Sequence, residues 1–345
     1  MILSEIRQKS GSTSPDKRPG DCLLVEYSKG ERAPDAAAGL YVLGAVEYTV
    51  DVDAARDETV ARVPLRAFPE SFDRETWLST EPVDTGCMHN ICYRANENFL
   101  FGVWQPNRPP GTIDSDTSIA YGDLIKFLDC TSHKYLVRVW NYLPDINSEI
   151  DGLECYKRFC QARHETIFAR QGTDANSLPA ASAVGCENGQ LTLFFLASRH
   201  RGEAVENPKQ VSAYKYPAQY GPRSPSFSRG MVTGSGQNAR LFISGTASIR
   251  GHETWHKDDL SLQLNVTLEN IDELLLQANK ACGSKLRGCA DLALLKVYIR
   301  NEQDYWPVRT LLEDRVPGVP IMYLHADICR SDLLLEIEGL SVPSA

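Results

Sequence analysis

Apolar positions recur along the chain in two rhythms. Alternating or short apolar runs predict strands at Asn98–Gln105, Tyr135–Leu143 (ended by Pro144) and Leu191–Ala197, with helices predicted between them at Asp116–Leu128 and Ile150–Ala169. The order then returns. Arg240–Ser248 reads as a strand, and Asp258-Asp259 cap a helix whose Leu260, Leu264, Leu268, Ile271 and Leu275 fall at helical spacing. Leu292–Arg300 is a strand, Trp306–Arg315 a helix with Pro307 in its first turn, and Pro320–Ala326 and Leu333–Val342 are strands. Two copies of a β-α-β-α-β-β unit of about 115 residues are thus present. Upstream, short apolar runs at Cys22–Tyr27, Leu40–Tyr48 and Val60–Phe68 alternate with Gly, Pro and Asp, leaving room for a diverged third copy. The expectation is an α+β protein of three similar lobes over 21–95, 96–213 and 214–345, preceded by a loose polar arm at 1–20.

Composition narrows the class. With 345 residues and 42% hydrophobic content the chain can bury ordinary cores, and Lys+Arg 36 against Asp+Glu 45 gives a net charge of −9. No general basic field exists to hold a phosphate backbone, so nucleic acid is not an expected partner. Apolar runs such as Leu191–Ala197 fall far short of the ~20 residues a membrane span needs. The first residues are polar, unlike a signal peptide, so a cytoplasmic chain with no membrane partner is expected. The ten cysteines show no CxxC pair, which indicates that most are buried reduced thiols and argues against a disulfide framework or zinc ribbon. His252 and His256 in GHETWH lack the third convergent ligand a zinc site wants, so no metal is expected. Gly234-Ser235-Gly236 precedes a strand and reads as a turn, not as a dinucleotide fingerprint.

Several segments carry a family resemblance. Ala218–Ser226 (AQYGPRSPS), Leu241–Ala247 (LFISGTA), Leu262–Ala278 and Leu333–Gly339 (LLLEIEG) resemble the GPYS segment, the SG-containing strand, the QxxxxLENI helix and the EIE strand of the Rid/YjgF superfamily. Small subunits of that superfamily form trimers with sites in the clefts between neighbours. Three fused Rid/YjgF-like (chorismate-mutase-like) lobes would imitate that trimer in one chain, with a pseudo-threefold arrangement. Together with Val137–Asn147 (VRVWNYLPDIN), Leu153–His164 (LECYKRFCQARH), Phe242–His252 (FISGTASIRGH) and Ala326–Gly339 (ADICRSDLLLEIEG), the chain resembles the chorismatases from about residue 40 onward. The resemblance implies a monomer without metal or organic cofactor that binds chorismate and releases its enolpyruvyl group as pyruvate. The site would lie between the central and C-terminal lobes, with the N-terminal lobe as scaffold. The ring product would be 3-hydroxybenzoate, 4-hydroxybenzoate or, in the hydrolytic branch, a dihydroxycyclohexadiene carboxylate.

In a strand, residues two apart share a face, so Glu336 and Glu338 project together. In an apolar cleft, desolvation and mutual repulsion would keep one of them protonated and fit to protonate an enol ether. On a solvated edge strand they would be two surface glutamates. The Rid resemblance favours Glu338 and the resemblance to the chorismatase motif, with its seven-residue spacing from Cys329, favours Glu336, so both stand as candidate acids. Cys329 occupies a place associated with hydroxybenzoate-forming chorismatases, whereas Ala247 in SGTAS resembles the hydrolytic type, and the two point in different directions. A dicarboxylate substrate calls for cationic partners, preferably arginine forks. Arg223 in YGPRSPS is the first choice, followed by Arg163 and Tyr216; Arg138, on a predicted central strand, either binds substrate or bridges lobes. The alternatives are a Rid-type imine hydrolase, whose arginine in PARSxVEV is replaced here by Ile321 and by Ala181, and a non-catalytic metabolite-binding protein on the same scaffold.

Overall fold

A computed structural model describes residues 23–30, 39–50, 57–169, 174, 177–187, 189–283 and 285–342; the predicted arm at 1–20 lies outside them. Its three large sheets repeat one strand order. In the central sheet the order is Ala180–Cys186, Tyr135–Pro144, Thr192–Ser198, Phe99–Trp104, Ile91–Ala95, Asp84–Met88. The C-terminal sheet runs Ile321–His325, Leu294–Ile299, Leu335–Leu340, Arg240–Thr246, Gly230–Thr233, Glu203–Val205, with Arg66–Ala67 added beyond its first strand. The N-terminal sheet keeps the first four places as Val60–Val63, Tyr41–Tyr48, Arg74–Ser79 and Leu24–Ser28. In all three the first two strands are parallel and the third is antiparallel to the second.

A parallel pair needs a crossover, and helices supply it in two of the copies. Helix α1 (Ile113–Cys130) and α2 (Cys155–Phe168) cover the outer face of the central sheet; α3 (Leu260–Cys282) and α4 (Tyr305–Arg315) cover that of the C-terminal sheet. In α3 the Asp259 carboxylate caps the Leu262 amide at 2.9 Å, and Gly283 ends the helix in the left-handed region at φ 72°, a conformation that glycine adopts without steric cost. Among the described residues the N-terminal sheet carries no helix, and its parallel pair is joined by residues 49–59. No helix among the described residues is long and apolar enough to cross a membrane.

Three expectations change. The helix predicted from Ile150 begins at Cys155, because Asp151 (φ 51°) and Gly152 (φ 77°) form the turn of a small hairpin between Glu149–Ile150 and Leu153–Glu154. The hairpin Asp84–Met88/Ile91–Ala95 turns at His89 and Asn90, both at positive φ, and pairs with Phe99–Trp104, so it joins the central sheet across the expected boundary at 95. Glu203–Val205 likewise joins the C-terminal sheet ahead of 214. Cys87 and Cys92 face each other across the Asp84–Ala95 hairpin and form a disulfide, an exception to the expectation that most cysteines are reduced. Cys155, Cys160, Cys186 and Cys289 are buried and outside any disulfide.

The inner faces of the three sheets meet in one apolar cluster, in which Trp77, Trp140, Phe194 and Phe242 pack together. Four charged side chains sit inside it. Lys296 reaches Glu75 at 2.6 Å and Glu338 at 3.6 Å, and Arg138 pairs with Glu338 at 3.0 Å. The Trp140 indole N–H (3.0 Å) and the Tyr298 hydroxyl (3.1 Å) donate to Glu338; the Trp77 indole N–H donates to Glu75 at 2.8 Å. Burial pulls the Lys296 ammonium down, but Glu75, Tyr142 and Glu338 outweigh it and hold the ammonium above its ordinary range. Each sheet contributes to this cluster, and Glu75 of the N-terminal sheet and Arg138 of the central sheet both depend on the C-terminal pair Lys296 and Glu338 for their counter-ions. Replacing Lys296 with Met should cost about 3–5 kcal/mol, because Glu75 would be left as an uncompensated buried charge. In urea unfolding the loss should far exceed that of Lys209→Met, whose exposed pair with Glu273 contributes about 0–1 kcal/mol.

Candidate active site

A cavity of about 560 Å³ opens on the seam between the central and C-terminal sheets, within the usual range for small-molecule sites. One wall is the edge strand of the central sheet, where Ala181, Ser182 and Ala183 leave room because their side chains are small. This strand is tied to the C-terminal sheet by the Ala181 amide, which donates to Ser244 Oγ at 2.9 Å. A second wall is α2: Tyr156, Phe159, Cys160 and Arg163 recur at three- and four-residue intervals and present one helical face to the cavity. Glu336, Gly245, Ala247 and Cys329 come from the C-terminal sheet and its loops, and Tyr216, Tyr220, Arg229 and Arg330 from loop segments that close over them.

The two candidate glutamates share a face and part company in environment. Glu336 lines the cavity and is 4% exposed. Burial and the nearby Glu338 charge push its carboxyl up to about 8 against the opposing pull of Arg138 and Arg229, so at neutral pH it carries a proton. Glu338 lies outside the cavity wall, in the interior cluster. Burial alone would raise it, but Arg138, Lys296 and hydrogen bonds from Ser182 and Trp140 hold its carboxyl below the ordinary range. One carboxyl is an acid facing a cavity and the other a fixed anion behind it, the division a proton-transfer site uses.

Gly245 makes that placement possible. A Cβ built there would lie 1.9 Å from Glu336 Oε1 and 3.1 Å from Ser182 Oγ. The Gly245 amide (2.9 Å) and Arg138 (2.5 Å) both donate to Ser182 Oγ, which leaves the Ser182 hydroxyl hydrogen for Glu338. Ser182 therefore ties the two strands that carry the paired charges.

Cations ring the remaining space. Arg163 is 3% exposed, rests on the Tyr121 ring at 5.0 Å, and has Nε and Nη2 without a hydrogen-bond acceptor. A buried guanidinium with free N–H groups on a cavity wall favours an anionic guest. Arg229 donates to the Tyr216 hydroxyl at 2.7 Å and to Val211 O at 3.1 Å, and its Nε is also unpartnered. Arg330 stacks over Tyr220 at 4.1 Å and donates to His252 O at 2.9 Å. Lys157 and Lys257 lie toward the mouth with Glu154 and Asp332 as their partners. An overall acidic chain thus carries a cavity biased toward anions.

Of the residues expected from sequence, Glu336, Cys329, Arg163, Tyr216 and Ala247 converge on this cavity. Arg138 does not line it; it is buried between the sheets, bonded to Glu338 and Ser182. Arg223 is exposed and outside the cavity wall, so the expectation that it faces a substrate gives way to Arg229, six residues on. The segment turns at Gly221 (φ 139°), which sends Arg223 outward while Phe227 and Arg229 return to the cavity. Ile321, in the place of the Rid arginine, packs in the C-terminal core beneath α3 and α4. Sequence reasoning missed Ser182, Gly245, Arg229 and Arg330. An arginine entering an apolar strand, as in Ser228-Arg229-Gly230-Met231, was the available signal for Arg229. The Cys329 thiol is pushed well above its usual range, first by burial and then by Glu336, so it lines the cavity as a neutral group.

Gly245 has an ordinary φ, so Gly245→Ala should fold, yet the new methyl must displace the Glu336 carboxyl. Loss of turnover of at least about 100-fold at unchanged thermal stability is expected, since displacement of a reacting group by an ångström has costs of that order. Steady-state kinetics beside a melting curve would check it.

Known proteins share this architecture. The family model described as chorismatase FkbO/Hyg5-like, N-terminal, matches residues 75–197. A chorismatase of Streptomyces rapamycinicus is 38% identical over 281 residues, 79% of this chain and 82% of that protein. A 3-hydroxybenzoate synthase of Streptomyces hygroscopicus is 36% identical over 77% of this chain and 80% of its own length. A chorismatase crystal structure at 1.08 Å resolution superposes with a TM-score of 0.86 at 31% identity, over 94% of this chain and 100% of that one. With its three repeated sheets, its seam cavity and these relatives, the chain belongs to the chorismatase family.

Proposed function

We propose that this protein is an enzyme that converts chorismate to pyruvate and a hydroxybenzoate, with Glu336 as the proton donor. The observation that carries the reading is a carboxyl buried on the wall of an anion-seeking cavity, its proton affinity raised by burial and the Glu338 charge. Glu336 delivers its proton to the enolpyruvyl methylene and generates an oxocarbenium ion. The negative charge left on Glu336, with Glu338 behind it, stabilises that cation. The ring hydroxyl oxygen then displaces the enolpyruvyl oxygen, its bond to its original ring carbon breaks, and the proton on the carbon it has moved to must leave for the product to become aromatic; the Glu336 carboxylate formed in the first step is the group poised to take that proton. Atoms balance with no net water, and no metal or organic cofactor enters the scheme. Arg163, with two unpartnered nitrogens, and Arg229 hold the carboxylates.

The aromatic branch is favoured by Cys329 on the cavity wall and by the relative named 3-hydroxybenzoate synthase. The 4-hydroxy isomer would arise from the same cation by a different migration. The hydrolytic branch, which consumes one water and yields the dihydroxycyclohexadiene carboxylate, has Ala247 on the same wall in its favour. Imine hydrolysis has little support, because Ala181 faces the cavity and Ile321 the core where that chemistry wants an arginine.

Incubation with chorismate, enzymatic assay of pyruvate and chromatography of the ring product test the reading directly. Pyruvate with hydroxybenzoate is expected, abolished in Glu336→Gln; pyruvate with the non-aromatic diol would select hydrolysis, and tight binding without pyruvate would leave a binding protein. Turnover should fall as pH rises through about 8, as the active protonated carboxyl ionises. The same sign governs stability. A carboxyl raised in the fold stabilises it below its unfolded value and loses that contribution up to about pH 8, so Glu336→Gln should melt higher than the parent chain above that pH. Arg163→Met should raise KM by about 10–100-fold, as expected for losing charged hydrogen bonds to a carboxylate, with a smaller effect on kcat.

A further inference from the structure

Resting on the reading of Glu336 as the proton donor, the geometry points to Glu75, in the N-terminal lobe, as a positioning residue for that donor: by holding the Lys296 ammonium, it leaves the Glu338 charge free to act on Glu336. Among the described residues the N-terminal lobe contributes none to the cavity wall. It reaches the site through charge.

The distances order the partners. Lys296 Nζ lies 2.6 Å from Glu75 Oε2 and 3.6 Å from Glu338 Oε2, so the shared cation sits closer to the carboxylate of the N-terminal lobe. Glu75 is kept in place by the Trp77 indole at 2.8 Å and the Tyr48 hydroxyl at 3.4 Å, both from its own lobe. Tyr48 also touches the Tyr142 hydroxyl at 3.3 Å, which meets Tyr298 at 2.8 Å and so returns to Glu338. Tyr27, from the same lobe, faces both Glu75 and Glu338.

The groups facing Glu336 from the other elements are few. Its own strand supplies Glu338, the central sheet Arg138, the segment before Gly230 supplies Arg229, and Cys329 and Tyr156 of α2 stand beside it as neutral groups. Arg138 is committed to Glu338 and Ser182, and Arg229 to Tyr216 and Val211. Lys296 is therefore the cation whose division between two carboxylates can vary. Without Glu75 it has Glu338 as its remaining carboxylate partner and moves toward it. Neutralising Glu338 removes the negative field that opposes ionisation of Glu336. Loss of the Glu75 charge itself acts in the same direction.

The test is the pH dependence of kcat at saturating chorismate in Glu75→Gln. A downward move of the alkaline limb by about one unit from about 8 would lower the ratio of kcat at about pH 8 to that at about pH 6 roughly fivefold. Glu75→Asp, which keeps the charge, should recover at least half of the ratio, and it carries the test if the Gln variant fails to fold. Trp77→Phe removes a donor to Glu75 and keeps its charge, so its limb should not move down. A limb that stays in place in Glu75→Gln, or a loss of kcat equal at both pH values, would overturn the proposal and leave Glu75 a structural residue. If the parent chain shows no alkaline limb, or Glu336→Gln still releases pyruvate, the donor assignment fails instead.

Discussion

Burial of four charges among three apolar sheet faces is the constraint around which this molecule is organised. Arg138, Lys296, Glu75 and Glu338 are all nearly inaccessible; the C-terminal lobe supplies the pair Lys296 and Glu338, whereas Glu75 of the N-terminal lobe and Arg138 of the central lobe find their counter-ions only there. Isolated, the N-terminal and central lobes would each carry an uncompensated ion at the inner face, at a cost of several kcal/mol. Assembly of the three faces into one core removes that cost and satisfies the indole and phenol donors around it. Two cations meet two anions there. A third interior carboxyl, Glu336, is left facing the seam, and that remainder is where the chemistry sits.

The opening at the seam between the central and C-terminal sheets follows from side-chain size. The strand at the first place of each sheet is small in the central copy, with Ala180, Ala181, Ser182 and Ala183 in succession. Its counterparts are Val60–Val63 and Ile321–His325, which fill their places with valine, isoleucine, methionine and tyrosine. Gly245 across the seam extends the opening, since a single added carbon would meet the Glu336 carboxyl. A fold with threefold repetition thereby holds a single developed cavity among the described residues of that seam, lined by a helix whose repeat partner α4 packs into the core instead. Function on this scaffold is a matter of where bulk was removed and charge retained.

The division of labour between Glu336 and Glu338 shows how environment assigns roles to identical side chains. Two residues apart on one strand, they share a face and a sheet. Glu338 is met by two cations and three N–H or O–H donors, whereas at Glu336 burial and its neighbour's charge outweigh the pull of Arg138 and Arg229. The first stays ionised and the second does not. The N-terminal lobe, which looked like scaffold, enters this assignment through Lys296.

The repeat, the α+β class and most strands were legible because amphipathic periodicity is a local property written every two or every three to four residues. The α2 face of Tyr156, Phe159, Cys160 and Arg163 and the pairing of Glu336 with Glu338 on one side of a strand could be read the same way. Turn residues read less well: Asp151-Gly152 and His89-Asn90 are two-residue hairpin turns whose effect depends on the left-handed backbone, and they moved the start of α2 and the sheet membership of the Asp84–Ala95 hairpin. What the tertiary structure alone decided were the groups that act across chain distance. Glu75 and Lys296 are 221 residues apart in number and 2.6 Å apart in space, and Gly245 matters through an atom of Glu336. A carboxyl's proton affinity depends on every charge within several ångströms, whichever segment brings it, and Coulomb's law takes no account of sequence separation.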